Sequence, residues 1–141
     1  MKSRISWSNG GPGALIARMD QIPRELKQEA AEALQETVKE GAELQARILD
    51  ESVTPYGQAR FDAGRGNSAG RNDSGNMIAK IDTGVEETDD SLIGWWGWDN
   101  LDPHDGEYIE IQEATANSLA QSFIPTREAL YGRVRAILKG R

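Results

Sequence analysis

Apolar residues recur at helical spacing from Leu26 to Ile48. At 100° per residue, Leu26, Ala30, Leu34, Val38, Gly41, Leu44 and Ile48 fall on one face. Glu29, Glu32, Glu36, Lys39, Glu40, Glu43, Arg47 and Asp50 fall on the other. Asp20 can cap this helix, Pro23 suits its first turn, and Thr54-Pro55 stops it near Ser52. The pattern predicts about thirty helical residues, roughly 45 Å long at 1.5 Å per residue. Gly41, in the middle of the apolar face, costs ~1 kcal/mol of helix propensity relative to Ala. Close approach of another backbone would explain it; simple tolerance is the other reading.

Around this helix the pattern is more broken. Residues 1–12 read as irregular and rich in Gly and Ser, with an isolated Trp7, and Ala14 to Met19 as a short helical turn, so that 1–19 forms an N-terminal arm. Residues 55–76, PYGQARFDAGRGNSAGRNDSGN, read as a long Gly-rich loop. The loop is either mobile in isolation or ordered by a neighbour. Arg60, Arg65 and Arg71 make it locally basic, and Tyr56 and Phe61 are its possible anchors. Residues 77–85 and 91–98 read as two strands joined by the charged turn EETDD, a hairpin. Trp95 and Trp96 then point to opposite faces. One packs on the long helix; the other, or Trp98, faces either the core or a partner. Tyr108 to Leu119 reads as a helix, with a strand possible over YIEIQ. Ser122-Phe123-Ile124-Pro125 breaks the pattern. Thr126 then caps a last helix bearing Leu130, Tyr131, Val134, Ile137 and Leu138. The fold class is α+β: a long N-terminal amphipathic helix and C-terminal helices on one face of a small antiparallel sheet.

A chain of 141 residues and 15.5 kDa is the size of one domain, here residues 20–141. With no cysteine and a single histidine, His104, disulfides, thiolate zinc sites, cysteine nucleophiles and multi-histidine centres within one chain are excluded. No apolar run nears the ~20 residues of a membrane span, and MKSRISWSNGGPG has no apolar signal core. The expectation is a soluble protein made in a reducing cytoplasm. Charge is unevenly spread. Residues 77–113 hold eleven acids and one lysine, whereas residues 114–141 hold five bases and one acid. The acidic balance disfavours general nucleic-acid binding. The asymmetry suits either association between copies or pairing within one chain.

Catalytic signatures are weak. Asp102, His104 and Asp105 offer a His–Asp pair without a nucleophile elbow. Asp99, Asp102, Asp105 and Glu107 lack the spacing of a calcium loop. GRGNSAG is not a phosphate loop. The reading is therefore a chain with no catalytic, cofactor-binding or metal residues. The competing readings are a small metal-dependent enzyme using the acidic cluster with His104, and a nucleic-acid module using Arg60, Arg65 and Arg71.

The order of the segments carries more. A long helix, EALQETVKEGAELQARILDES, ends at Thr54-Pro55. Asp73-Ser74-Gly75-Asn76-Met77-Ile78 leads into a strand, and Leu92-Ile93-Gly94-Trp95-Trp96-Gly97 forms another. Glu107-Tyr108-Ile109-Glu110-Ile111-Gln112-Glu113 follows, and Ser122-Phe123-Ile124-Pro125-Thr126-Arg127-Glu128-Ala129-Leu130 leads to the end. From about Ala30 to Lys139 this series resembles the tail-component and neck proteins of long-tailed bacteriophages, which include minor tail and tail-completion proteins similar in role to the lambda protein Z. The chain departs from that pattern in the insertion at 56–72 and in having Gln112-Glu113-Ala114-Thr115 where Glu-Phe-Gly-Thr is common.

The resemblance implies a structural virion protein at the head–tail junction, without catalytic residues or cofactor. It implies a ring, six or twelve copies, around the DNA channel, with phage head-closure, connector and tail proteins as neighbours and no membrane. A tail terminator or other connector component is the alternative within that class. Heterologous contacts between identical copies close such a ring. Trp95, Trp96, Trp98, Tyr108 and Phe123 are candidate interface anchors, together with Tyr56, Phe61, Arg60, Arg65 and Arg71. Glu86, Glu87, Asp89 and Asp90 are candidates for an acidic lumen, past which double-stranded DNA slides without specific binding, or for a charge-matched face.

Overall fold

A computed structural model provides the structure, which describes residues 1–7, 24–87 and 92–140. Helix α1 spans Arg24–Glu51, and its 28 residues extend about 42 Å. Thr54 and Pro55 end it and also begin the next element. The Thr54 hydroxyl accepts from the Gly57 amide at 3.0 Å, and Pro55 opens helix α2, Pro55–Asp62. Part of the expected loop 55–76 is therefore helical. The four-residue helix α3, Asn76–Ala79, occupies the start of the first expected strand, so strand β2 runs only Asp82–Glu87. It pairs antiparallel with β3, Leu92–Gly97, as the hairpin reading required.

The N-terminal residues depart from the irregular arm expected of them. Lys2–Trp7 forms strand β1, antiparallel to β3 on the side away from β2, giving the order β1-β3-β2. Ser3 sits opposite Trp96 in the register, and its hydroxyl donates to the Leu119 carbonyl at 3.1 Å. The expected helical turn at Ala14 to Met19 and the cap at Asp20 lie outside the described residues.

Helix α4 covers Pro103–Ala116, which settles YIEIQ as helical. Asn117 turns the chain in a left-handed conformation, φ 52°, into helix α5, Ser118–Lys139. The helix break expected at Ser122–Pro125 does not occur: Pro125 lies inside α5, and Thr126 is an interior residue rather than a cap. An interior proline costs about 3 kcal/mol of helix propensity. Burial around it offsets that cost, since Ser122, Thr126, Leu130 and Val134 are all buried. The N-terminal amides of α5 have an unexpected cap. The buried Glu113 carboxylate accepts from the Leu119 amide at 3.0 Å and from the Ser118 hydroxyl, where the helix dipole favours a negative charge.

Helices α1 and α5 run antiparallel and pack together on the inner sheet face, which carries Leu92, Gly94 and Trp96. Ala30, Leu34, Val38, Leu92, Trp96, Leu130 and Val134 form the main core. Leu49, Met77, Trp98, Ile109 and Ala116 form a second cluster. The α1 stripe drifts from the expected face: Gln45 and Leu49 are fully buried, whereas Leu44 and Ile48 are only partly so. Gly41 faces an indole ring rather than a backbone. A Cβ there would lie 2.8 Å from Trp96 Cδ2 and 3.0 Å from Thr126 Cγ2. At Gly94 a Cβ would lie 2.6 Å from Val38 Cγ1 and 2.8 Å from Leu34 Cδ1. The two glycines thus allow α1 to lie directly on the sheet.

Polar links lock the helix pair. Arg133 donates to the Thr37 hydroxyl at 2.8 Å and bonds Glu40, with Glu36 3.6 Å away. That hydrogen bond holds the Glu40 carboxyl below the usual carboxylate range and raises Arg133.

Two measurements test this packing. Gly94→Val should destabilise by about 1–3 kcal/mol through overpacking. Gly132→Ala, whose new methyl meets nothing within 4 Å in the interior of α5, should stabilise by up to ~1 kcal/mol. Urea unfolding midpoints will show opposite shifts at unchanged m-value if the packing is as described. The Glu40 value is lowered on folding, so its contribution exists above the unfolded value near 4.3 and disappears as pH falls through the depressed folded value. Glu40→Gln should flatten the acid limb of the stability profile by less than ~1 kcal/mol, because the pair is half-exposed. A limb as steep as in the parent chain would contradict that role.

Candidate interaction surface

Asp99, Asp102 and Asp105 of the 99–107 segment are tied up in local structure. Asp102 caps α4, with its Oδ1 accepting from the Asp105 amide at 2.8 Å. Asp105 bonds Lys80 and accepts from Asn76 Nδ2 at 3.2 Å, pinning α3 to the start of α4. The hydrogen bond between Lys80 and Asp105 raises the amine and lowers the carboxyl. His104 is exposed on the first turn of α4. An open cavity of about 460 Å³ lies beside this link, lined by residues 79–82 and 99–102. Among the described residues, no group of three or more His, Asp or Glu is placed to hold a metal ion. The Asp102, His104 and Asp105 grouping is thus a helix cap and an ion pair beside an exposed imidazole.

Trp95, Trp96 and Trp98 are interior. Trp96 is fully buried, donates through Nε1 to the Ser122 hydroxyl at 2.9 Å and stacks on Phe123 with centroids 6.4 Å apart. Trp98 is buried in the second cluster and donates to the Met77 carbonyl at 2.9 Å. Trp95 turns to the opposite sheet face, covers Gly84 and carries the Lys2 ammonium 4.2 Å from its ring centroid. It too is buried, at 8% exposure. Their expected role as surface anchors is corrected: an indole on a small three-stranded sheet is the largest available core filler. Phe123 is half-buried.

The three loop arginines separate. Arg60 is buried. Its guanidinium donates to the carbonyls of Arg65 at 3.3 Å, Ser68, and Gly70 at 3.3 Å, and Asp73 lies 3.6 Å away. It is an internal staple, which removes it from the candidate surface. Arg71 is half-buried and reaches Gln112 Oε1 at 2.6 Å and Thr115 Oγ1 at 2.7 Å, fastening the loop to α4. The Arg71 amide donates to the Leu49 carbonyl at 2.8 Å, and Ser68 and Asn72 bond Asp50. The segment 63–75 is therefore ordered by its own chain. Arg65 is exposed.

What remains outside is a set of apolar side chains. Tyr56 is 75% exposed and Phe61 44%. Tyr108 and Ile111 lie one turn apart on the outer face of α4, and Val53 and Ile124 are also exposed. Sequence reasoning selected Tyr56, Phe61 and Tyr108 and missed Val53, Ile111 and Ile124. The signal for Ile111 was its place among Glu107, Glu110 and Ala114, on the polar side of its helix. Glu86 is exposed on β2. The Glu87 side chain, Asp89 and Asp90 lie outside the described residues. No helix among the described residues is long and apolar enough to cross a membrane.

No protein-family model, curated protein or solved structure matches the chain.

Arg60 gives a sharp test of the loop. Arg60→Met and Arg60→Lys should each cost about 1.5–3 kcal/mol, since hydrogen bonds from a charged group are lost and lysine lacks the planar fork. Arg65→Ala should stay within about 0.5 kcal/mol. Hydrogen exchange should show amides of 63–75 deprotected only in the Arg60 variants. Equal protection in all three would refute the staple.

Proposed function

We propose that this chain is a structural protein of a bacteriophage virion, placed at the head–tail junction as a neck, tail-completion or minor tail component. In this reading it forms a ring of six or twelve copies around the DNA channel and joins the head connector to the tail, with no catalytic role and no cofactor. The observation that carries the proposal is the ordered series of segments from Ala30 to Lys139 that resembles those proteins. The segments fall in the same order here on the long helix α1, the turn into α3, the strand β3, the Tyr108 helix α4 and the terminal helix α5. Two segments differ in setting: Asn76-Met77-Ile78 lies in α3 rather than leading directly into a strand, and Phe123-Ile124-Pro125 lies within α5 rather than ahead of it.

Two physical features support the reading. Large apolar side chains stand exposed on a small chain that already has two packed cores, which is what a subunit completed by neighbours requires. Residues 77–113 are strongly acidic, and an acidic wall repels phosphates and lets DNA pass without adhering. The acids that an enzyme reading would use, Asp102 and Asp105, are engaged in a cap and an ion pair.

The test is genetic and structural. Deleting the coding sequence from the genome that carries it should yield DNA-filled heads and separate tails with no joined particles, and mass spectrometry should find the chain in the purified parental virion. Joined, infectious particles at parental titre after deletion would overturn the proposal.

A further inference from the structure

The end of α1 and its first half carry surfaces of opposite character. At the C-terminal end, α2 and the loop after it present Tyr56, Phe61 and Arg65, all exposed. Asp62, beside them, is held by the Gln58 amide at 2.8 Å. Arg60 stiffens this knob from within, and bonds to Leu49 and Asp50 fix it to α1. In the N-terminal half, a groove of about 280 Å³ opens between α1 and α5. Ala33, Ala136 and Ile137 form its apolar lining, and Glu29, Glu32 and Glu36 supply its acids. Arg133, the groove's cation, is engaged by Glu40 and Glu36, so the free charge there is negative. Its volume is of the size that takes one inserted side chain.

The knob cannot fill the groove of its own chain. Residues 33 and 50 of α1 are about 25 Å apart at 1.5 Å per residue. We propose that the Tyr56–Phe61–Arg65 knob of one copy docks in the Glu29–Glu32–Ile137 groove of the next. Phe61 enters the apolar floor and Arg65 meets the glutamates. The contact joins two different surfaces, so it is heterologous and propagates until the rotation closes it into a ring. Its biological setting rests on the virion reading; the contact itself belongs to this chain alone.

The experiment uses the full-length chain in low salt, with sedimentation velocity over a concentration series. Parental protein should self-associate, with association weakened by salt. Phe61→Ser with Arg65→Ser disables the knob, and Glu29→Arg with Glu32→Arg disables the groove. All four positions are exposed, and circular dichroism should show both variants folded. Each variant alone should be monomeric, with apparent affinity reduced about ten-fold or more. Mixed, they should form a one-to-one heterodimer that grows no further, because only one intact knob and one intact groove remain. A parental chain that stays monomeric at the highest concentration reached would overturn the proposal. So would variants that assemble like the parent, or a mixture that forms no heterodimer. Assembly through these surfaces by a chain absent from virions would sink the virion reading alone. Incorporation into virions by chains carrying both disabled surfaces would sink this contact alone.

Discussion

The fold depends on one close approach, the Trp96 indole laid against Gly41. The ring occupies the junction of three elements: α1 on one side, Phe123 and Ser122 of α5 on another, and its own sheet behind. Any side chain at Gly41 would push α1 off the ring, and any at Gly94 would push it off the strand. A helix that spends ~1 kcal/mol of propensity on a mid-helix glycine gains a buried tryptophan, whose loss would cost about 3–5 kcal/mol. Its one polar atom is satisfied by Ser122, so the burial leaves no orphaned donor. The same site explains why α5 keeps its course through Pro125. Ser122 and Thr126 flank the proline, one bonded to the indole and the other packed beside Gly41, so the helix is held on both sides of the defect.

The long helix and the hairpin were legible because each is specified by local periodicity. The exact stripe on α1 was not. Gln45 replaces Leu44 inside because its amide donates to Ser118 at 3.2 Å, seventy-three residues away, and no pattern within α1 announces that partner. Strand β1 carries an alternation, Ser3, Ile5 and Trp7 against Lys2, Arg4 and Ser6, that is readable once its partner is known. Its apolar row begins with a serine, and the strand it joins lies some ninety residues on. Pro125 read as a break because local propensity says so; packing from α1 and Trp96 outweighed it. The aromatic residues divided along the same line. Trp95, Trp96 and Trp98 went inside, and Tyr56 and Phe61, on a short helix with little to pack against, stayed outside.

The loop illustrates how a polar segment acquires order without a core. A single buried guanidinium gathers three carbonyls, Asp73 balances its charge, and Arg71 carries the assembly across to α4. Nothing near Arg60 in sequence says that its partners sit five, eight and ten residues later, so composition alone reads such a segment as mobile. The arrangement also separates duties among like residues. Two of three arginines build the scaffold and Arg65 stays exposed, a distinction invisible in a count of charge.

The three-stranded sheet leaves β1 and β2 as its borders, and the two borders differ in sign. One carries Lys2; the other carries Asp82 and Glu86. Two molecules meeting acid rim to acid rim, or base rim to base rim, repel before their backbones can hydrogen-bond. Ribbon growth through pairing of identical rims is thereby discouraged.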